Sequence, residues 1–172
     1  DPDGVESPEK EVDGLGLLNI ETVFRKEKTT CQVEARLSSK FPLIGNTRAA
    51  LGDLRGYEIH MGTSTGDVGL FRLKRMSGDG DKQTGSAVHR LADSGTPDGS
   101  MNGNSWGTYV HGIFENDAFR HGLLNMIRAG KGLPPLESPA KYAELKESAL
   151  DRLAGMVREN LDMEFIRRII GL

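Results

Sequence analysis

The sequence of 172 residues predicts an α/β protein with a mixed sheet and helices toward its C-terminal end. Segments in which apolar and polar residues alternate, the period of a half-buried strand, lie in the first two thirds of the chain. The last third repeats apolar residues at helical spacing, and no internal repeat of roughly 20 to 50 residues is present. We therefore expect one domain over residues 1–130 and a helical extension over residues 131–172.

Three segments in the first part of the chain are predicted to be strands. Residues 14–24 are rich in aliphatic side chains, and residues 30–37 alternate strictly between apolar and polar types. Residues 55–61 also alternate, which places Glu58 and His60 together on one face of their strand. These segments supply the first strands of the predicted sheet.

Glycine, serine, aspartate and proline interrupt the sequence between residues 63 and 103, which indicates turns and short elements. Within this region, only the segments 68–73 and 87–92 are long enough to form short strands. The Asp-Gly pair at positions 98–99 favours a tight turn.

The apolar and aromatic run over residues 106–114 predicts a buried strand that ends near His111. A helix follows, since Asn116 or Asp117 can cap its start and Gly130 can end it. The remaining predicted helices cover residues 138–160 and 161–170.

The composition excludes several classes of function. The net charge is -3 and the 22 Lys and Arg residues are scattered, so no basic face is available and nucleic acid is not expected as a partner. No apolar run approaches the roughly 20 residues that span a bilayer, and no signal peptide is recognisable, so we expect a cytoplasmic protein. The single cysteine allows no internal disulfide, and no Cys/His cluster predicts a metal site.

Cys31 is the first candidate for chemistry, because a lone cysteine in a chain with histidines invites a Cys-His nucleophile hypothesis. It lies, however, on the apolar face of a regular alternating strand. A cysteine in that position acts as a small hydrophobe, and strand interiors rarely present an attacking sulfur. The pattern therefore favours a structural role.

His111 lies where a predicted strand gives way to Gly112 and a helix. The carboxyl ends of strands form the rim of the active crevice in α/β proteins, so a titratable group there suits a general base. Its position is equally compatible with a structural histidine.

Glu58 and His60 share one face of a glycine-flanked strand. Two polar groups at this spacing can orient one another or a neighbouring base, and they can also form a buried hydrogen-bonded pair inside the sheet. His89 and His121 have no comparable context, and His121 is expected to be solvated.

Five motifs carry a resemblance to a known family. They are Asp1-Pro2-Asp3-Gly4-Val5-Glu6, Gly14-Leu15-Gly16-Leu17-Leu18, Glu27-Lys28-Thr29-Thr30, Gly56-Tyr57-Glu58-Ile59-His60-Met61-Gly62 and Gly107-Thr108-Tyr109-Val110-His111-Gly112-Ile113-Phe114. Over nearly the whole chain this order resembles the cobyric acid and cobyrinic acid diamide synthase group of glutamine amidotransferases. The last two motifs are the most specific, and residues 115–120 favour the cobyric acid branch.

The resemblance implies the C-terminal part of a class I, triad-type glutamine amidotransferase domain with a flavodoxin-like α/β core. In this family a cysteine on a strand-to-helix elbow attacks the glutamine amide and a histidine serves as its base. The released ammonia reaches an ATP-dependent synthetase domain, which amidates four corrinoid carboxylates in cobalamin biosynthesis.

By the resemblance His111 matches the catalytic histidine, and His60 matches the histidine of the Tyr-Glu-Ile-His motif, with Glu58 beside it. Many triad amidotransferases place a glutamate two residues after the histidine. Ile113 occupies that position here, so the third member of the triad is not assigned.

The elbow cysteine should lie just upstream of the Asp-Pro-x-Gly stretch, where this chain begins with Asp1. We therefore expect the nucleophile and the synthetase domain to be absent from the chain, which would then be an inactive piece of a longer enzyme. Cys31 does not replace the nucleophile. ATP and Mg are implied for the missing synthetase domain, and no cofactor or metal is expected in this piece.

Two alternatives remain open at this stage. The chain could be a noncatalytic binding or docking module on an amidotransferase scaffold. It could also belong to a related amidotransferase, such as a cobyrinic acid a,c-diamide synthase or a cell-wall precursor amidotransferase. The expected partners are glutamine, the missing amidotransferase half and synthetase domain and, through that domain, a corrinoid. Because missing strands would expose a sheet edge, self-association with another copy of the chain is also expected.

Overall fold

The computed structural model describes residues 1–39, 41, 53–76 and 95–171. Their strands are β1 (Ile20–Leu37), β2 (Leu54–Gly66), β3 (Phe71–Arg75), β4 (Thr96–Asp98), β5 (Ser100–Asn102), β6 (Ser105–Gly107) and β7 (Val110–His111). Five of these form one sheet in the order β4-β3-β1-β2-β7, while β5 and β6 form a separate hairpin. Every pairing between the described strands is antiparallel. Together with the helices that follow, they confirm the predicted α/β class, whereas the prediction of a mixed sheet is wrong for the described strands.

β1 joins what the sequence divides into two strands. This 18-residue strand pairs with β2 from Ile20 to Ala35, with an irregularity between Phe24 and Thr29. The prediction that a strand begins at residue 14 is wrong. Leu15 is 90% exposed and Leu17 is 54% exposed, so these side chains have no apolar surface to pack on before Ile20.

The predicted strand from residue 106 ends near His111 as expected, but the prediction of one continuous element is wrong, because β6 and β7 belong to different sheets. The Asp98 carboxylate accepts hydrogen bonds from the Thr108 hydroxyl and from the backbone N–H of Tyr109, the latter at 3.3 Å. These bonds turn the chain between β6 and β7 and leave only Val110 and His111 in the main sheet.

The short strand predicted over residues 68–73 begins later than expected, at Phe71. Gly69 has a φ of +132°, and its N–H donates to the Gly99 carbonyl at 2.8 Å rather than to a neighbouring strand. The other short strand predicted in this region, at residues 87–92, and His89 lie outside the described residues.

Three helices follow a 3-10 turn at Ile113–Glu115: α1 (Asp117–Gly130), α2 (Tyr142–Asn160) and α3 (Met163–Ile170). The prediction for α1 is confirmed. α2 begins four residues later than predicted, since Asp117 accepts a hydrogen bond from the Tyr142 N–H at 3.0 Å and Arg120 donates to the Ala140 carbonyl at 2.5 Å. Both bonds hold the preceding chain against α1 in extended form.

The core lies where α1 packs against the sheet. Its fully buried side chains come from several elements, namely Val33, Leu54, Phe71 and Leu73 from strands and Phe119 from α1, together with Phe41 and Leu70. The indole of Trp106 contacts this core edge-on, 5.4 Å from the ring of Phe41 and 6.0 Å from that of Phe119. Apolar burial thus fixes α1 beside the short strand β7 that precedes it.

Neither α2 nor α3 has a buried residue, although both carry apolar side chains. Asp162 precedes α3, and its carboxylate caps the helix by accepting the Phe165 N–H at 2.9 Å. None of the helices in the described part of the chain is long and apolar enough to cross a membrane.

Candidate functional site

The pairing of β2 with β7 places the candidate residues on two faces of the sheet. His111 is the direct partner of Tyr57, and Val110 is the partner of Glu58. Side chains opposite one another in an antiparallel pair share a face, whereas consecutive residues alternate. His111 therefore faces one side of the sheet, and Glu58 and His60 face the other.

His111 is exposed to solvent at the edge of the sheet. Its Nε2 lies 3.3 Å from the carbonyl oxygen of Ile59. Because a carbonyl oxygen only accepts, this contact places the proton of the neutral ring on Nε2 and leaves Nδ1 as the basic nitrogen. The exposed ring is thus available to take a proton from a group brought to this edge.

The backbone of His111 lies unusually close to β2. A Cβ built on Gly56 would lie 2.5 Å from the His111 carbonyl oxygen and 2.6 Å from a Val110 methyl group. Only glycine allows this approach, which explains the glycine at the start of the Tyr-Glu-Ile-His motif. Gly112 follows His111 with a φ of +74° and turns the chain sharply toward α1.

Glu58 is the centre of a buried network on the opposite face. Its carboxylate is 4% exposed and receives two bonds from the Arg75 guanidinium, at 2.7 Å from Nε and 2.8 Å from Nη2. His60 Nε2 lies 2.8 Å from Glu58 Oε1, and its Nδ1 lies 2.6 Å from the Gly62 carbonyl oxygen. Both ring nitrogens face acceptors, so the neutral ring can donate to only one of them.

The Arg75 bonds dominate the electrostatics of this network. Burial alone would raise the pKa of the Glu58 carboxyl, but the hydrogen bonds from Arg75 and His60, together with the Arg75 charge, lower its pKa to about 2. Glu58 is therefore ionised at neutral pH and stabilised by a bidentate pair. The sequence predicts the Glu58–His60 pair but not Arg75, which comes from β3.

An open cavity of about 520 Å³ lies over this face of the sheet. Tyr109 covers His60 on one side, with stacked rings 4.5 Å apart. Its hydroxyl lies 3.1 Å from Ser64 Oγ, which in turn lies 2.7 Å from Thr22 Oγ1. Ring stacking and hydrogen bonds thus connect His60, Tyr109 and Ser64, which line one part of the cavity.

Asp98 and Ser100 form the far wall of the cavity, and sequence reasoning assigns neither of them a role beyond a turn. Burial raises the pKa of the Asp98 carboxyl, although its bonds to Thr108 and Tyr109 offset part of this effect. Ser100 is 3% exposed, and its hydroxyl has no hydrogen-bond partner among the described residues. The Asp-Gly pair was the only local signal of this wall.

Cys31 lies on the same face as Glu58, its direct partner across β1 and β2. Its thiol is half-buried and lies 3.4 Å from Glu58 Oε2. Burial and the nearby negative charge of Glu58 raise the pKa of the Cys31 thiol to about 11. It is therefore a protonated thiol at neutral pH, on the opposite face from His111, in agreement with a structural role.

His121 holds the chain that follows α1. Its Nε2 lies 3.0 Å from the Leu136 carbonyl oxygen, and the neighbouring Asn125 side chain accepts the Leu136 N–H at 2.7 Å. His121 is half-buried, so its ring is partly solvated and also bonded to this linker.

The chain matches one protein family and a group of curated proteins. Residues 1–119 match the family described as the CobB/CobQ-like glutamine amidotransferase domain. The chain is also similar throughout to proteins named cobyric acid synthase. Those of Thermodesulfovibrio yellowstonii and Caldanaerobacter subterraneus subsp. tengcongensis are each 42% identical, over 100% and 99% of this chain and 30% and 32% of their own lengths. That of Clostridium tetani is 39% identical over 100% of this chain and 31% of its own length.

The chain thus spans about a third of the length of the curated relatives that it matches. The family match includes both the Tyr-Glu-Ile-His strand and the strand that ends at His111. The similarity to the longer relatives continues beyond it through α2 and α3. On these grounds the chain belongs to the CobB/CobQ-like glutamine amidotransferase family.

Proposed function

We propose that this chain provides the histidine-bearing part of a glutamine amidotransferase whose ammonia is used to amidate corrinoid carboxylates. The observation that carries the proposal is the position of His111, exposed at the end of β7 and supported by Gly56 and Gly112 in a chain of this family. Its exposed ring can meet a nucleophile at the sheet edge.

In the proposed reaction, His111 takes the proton of a cysteine thiol, and the thiolate attacks the side-chain amide carbon of glutamine. The protonated imidazole then returns the proton to the amide nitrogen, which leaves as ammonia, and a γ-glutamyl thioester forms. Water hydrolyses the thioester to glutamate and restores the thiol. His111 thus acts first as base and then as acid.

The nucleophile in this proposal is a cysteine other than Cys31. The raised pKa of Cys31 and its position on the face opposite His111 both argue against an attacking role. We place the nucleophile in a further part of the same protein, together with the ATP- and Mg-dependent synthetase activity. The greater length of the relatives named cobyric acid synthase supports this division of labour.

We assign the acceptor by the names of those relatives, and the proposed product is adenosylcobyric acid, formed by four amidations. The domain limits belong to the same proposal, with an amidotransferase part over residues 1–130 and a helical extension over residues 131–172. The absence of buried residues in α2 and α3 supports a separate extension.

The test is a His111→Asn variant of the complete enzyme. Glutamine-dependent amidation should fall by about 10²- to 10⁴-fold, as expected for a lost general base. Free ammonia should restore amidation, because the synthetase needs only the product of glutamine hydrolysis. His60→Asn should cause a milder loss, if His60 orients the site.

Cys31→Ser is the matched control, and it should leave glutamine-dependent amidation unchanged. An intact glutamine-dependent rate in His111→Asn would support the alternative of a noncatalytic docking module. Loss of activity in Cys31→Ser, with the protein still folded by circular dichroism, would refute the placement of the nucleophile elsewhere.

A further inference from the structure

Asn116 has an unexpected role in the structure. The sequence predicts it as a candidate cap for α1, yet its side chain makes no capping hydrogen bond. The side-chain amide instead reaches β2, where Oδ1 accepts the Arg55 N–H at 2.9 Å and Nδ2 donates to the Arg55 carbonyl at 2.9 Å. Nδ2 also donates to the Ile113 carbonyl at 2.9 Å. All the amide's hydrogen bonds therefore go to backbone groups.

These bonds make the Asn116 side chain act like one residue of an additional strand. A strand neighbour would satisfy the N–H and the C=O of Arg55 in the same way. β7 pairs with β2 at Tyr57 and Glu58, and the Asn116 amide continues that pairing to Arg55 after β7 has ended. The turn between His111 and Asn116 is thus tied to β2 at both ends.

His111 needs this support because its own element is so short. β7 has two residues, and the chain leaves it through the left-handed Gly112. The His111 ring is exposed, with a 3.3 Å contact to the Ile59 carbonyl. The backbone on either side of the ring therefore determines where the ring lies.

We propose that Asn116 is a positioning residue that holds His111 in register with the nucleophile through its paired hydrogen bonds to Arg55. This inference rests on the proposed function, since it needs His111 to act as the base. The Asn116 amide bonds only to the backbone of Arg55 and Ile113. Its effect on the reaction passes entirely through the His111 backbone.

The test uses Asn116→Ala and Asn116→Asp in the complete enzyme. The first removes all three hydrogen bonds, and the second keeps the acceptor for the Arg55 N–H but loses both donated bonds. Since misplacement of a reacting group by about 1 Å can cost 10²-fold, Asn116→Ala should lower the glutamine-dependent kcat by about that factor. Asn116→Asp should lose at least as much as Asn116→Ala, because its second carboxylate oxygen would face the carbonyl oxygens of Arg55 and Ile113 where the amide donated to them. KM for glutamine and the ammonia-dependent rate should stay unchanged in both.

Asn125→Ala is the matched control, because that asparagine also binds backbone through its side chain but holds the linker after α1. It should leave the glutamine-dependent rate unchanged. A double variant that combines Asn116→Ala with His111→Asn tests whether Asn116 affects the rate through His111. If Asn116 acts through His111, Asn116→Ala should add no further loss to His111→Asn.

The outcomes separate the two claims. A loss in His111→Asn without a loss in Asn116→Ala overturns only this inference. An intact rate in His111→Asn overturns the proposed function and the inference together. A parallel fall of the ammonia-dependent rate in both Asn116 variants, or an additive loss in the double variant, would mean that the amide serves the fold alone, and would also overturn the inference.

Discussion

At the scale of single residues, the Glu58 carboxylate shows how burial and charge are balanced. It is almost wholly removed from water, and it stays ionised because the Arg75 guanidinium binds both of its oxygens. A buried carboxylate without such a partner would be strongly destabilising. The network therefore stabilises the contact of β2 with β1 and β3 only while Glu58 is charged.

Glu58→Gln should lower the free energy of unfolding at pH 7 by about 1 to 3 kcal/mol, the usual cost of a buried hydrogen-bonding group without its partner, since it leaves the partly buried Arg75 without its counter-ion. The pH dependence has a defined sign. The pKa of Glu58 is lowered to about 2 from 4.5, so its stabilisation is complete above about pH 4.5 and is lost as the pH falls toward 2. Urea unfolding from pH 7 to pH 2 should show that the difference between the two proteins disappears in this window.

Asp53→Asn is the control for this experiment. Asp53 pairs with Arg36 through two similar bonds, of 2.9 and 3.1 Å, but Arg36 is 76% exposed. An exposed pair contributes little because water solvates both groups. A loss in Asp53→Asn equal to that in Glu58→Gln would contradict the importance of burial.

At the scale of elements, the position of β7 in the sheet depends on Gly56 of β2. The Gly56 backbone lies in contact with the His111 carbonyl, and the Asn116 amide pairs with the residue just before it. A side chain at position 56 cannot be accommodated without moving this backbone. The pairing of β7 is therefore sensitive to a single methyl group.

Gly56→Ala should displace β7, with a loss of unfolding free energy of about 1 to 3 kcal/mol, the usual range for overpacking, and with a loss of glutamine-dependent activity. Thermal unfolding and turnover measure the two effects. Gly155→Ala is the control, because Gly155 lies inside α2 with nothing within 4 Å of an added Cβ. Alanine there should instead increase helicity. An unchanged stability in Gly56→Ala would show that β7 tolerates the shift.

How far the sequence predicts these features depends on their range along the chain. Alternation over residues 55–61 correctly predicts that Glu58 and His60 meet, since two residues on one strand face follow from local geometry. The helix after His111 is predicted for the same reason. Arg75, Asp98 and Asn116 are missed, because their roles depend on partners 10 to 61 positions away that only tertiary pairing brings together.

At the scale of the whole molecule, the side chains of α1 hold the linker up to the start of α2. Arg128 donates to the Pro134 carbonyl at 2.6 Å, and Arg120 stacks over the Tyr142 ring at 5.8 Å. Beyond Tyr142 the helices have no buried residue. The change from packed to unpacked chain therefore occurs at Tyr142, inside the proposed extension over residues 131–172.

Removal of residues 143–172 should leave the unfolding free energy of the rest within about 0.5 kcal/mol, as expected for surface changes. Removal of residues 131–172 should cost more, about 1 kcal/mol, since the side chains of α1 then lose their backbone partners in the linker. Chemical denaturation of the two truncated proteins and the full chain measures both values. Equal stability of the two truncated forms would contradict a linker docked on α1.

The length of β1 has a consequence for how the sheet opens. The last part of β1, Val33 to Leu37, pairs with β3, and its residues up to Ala35 also pair with β2 on the other side. The first part, Ile20 to Phe24, pairs only with β2 among the described strands. Amide hydrogens on the other side of that first part have no partner among the described strands and should exchange with deuterated solvent in native conditions. Those of the buried Val33 and Ala35 should exchange only when the sheet itself comes apart. One strand thus contains both labile and protected backbone.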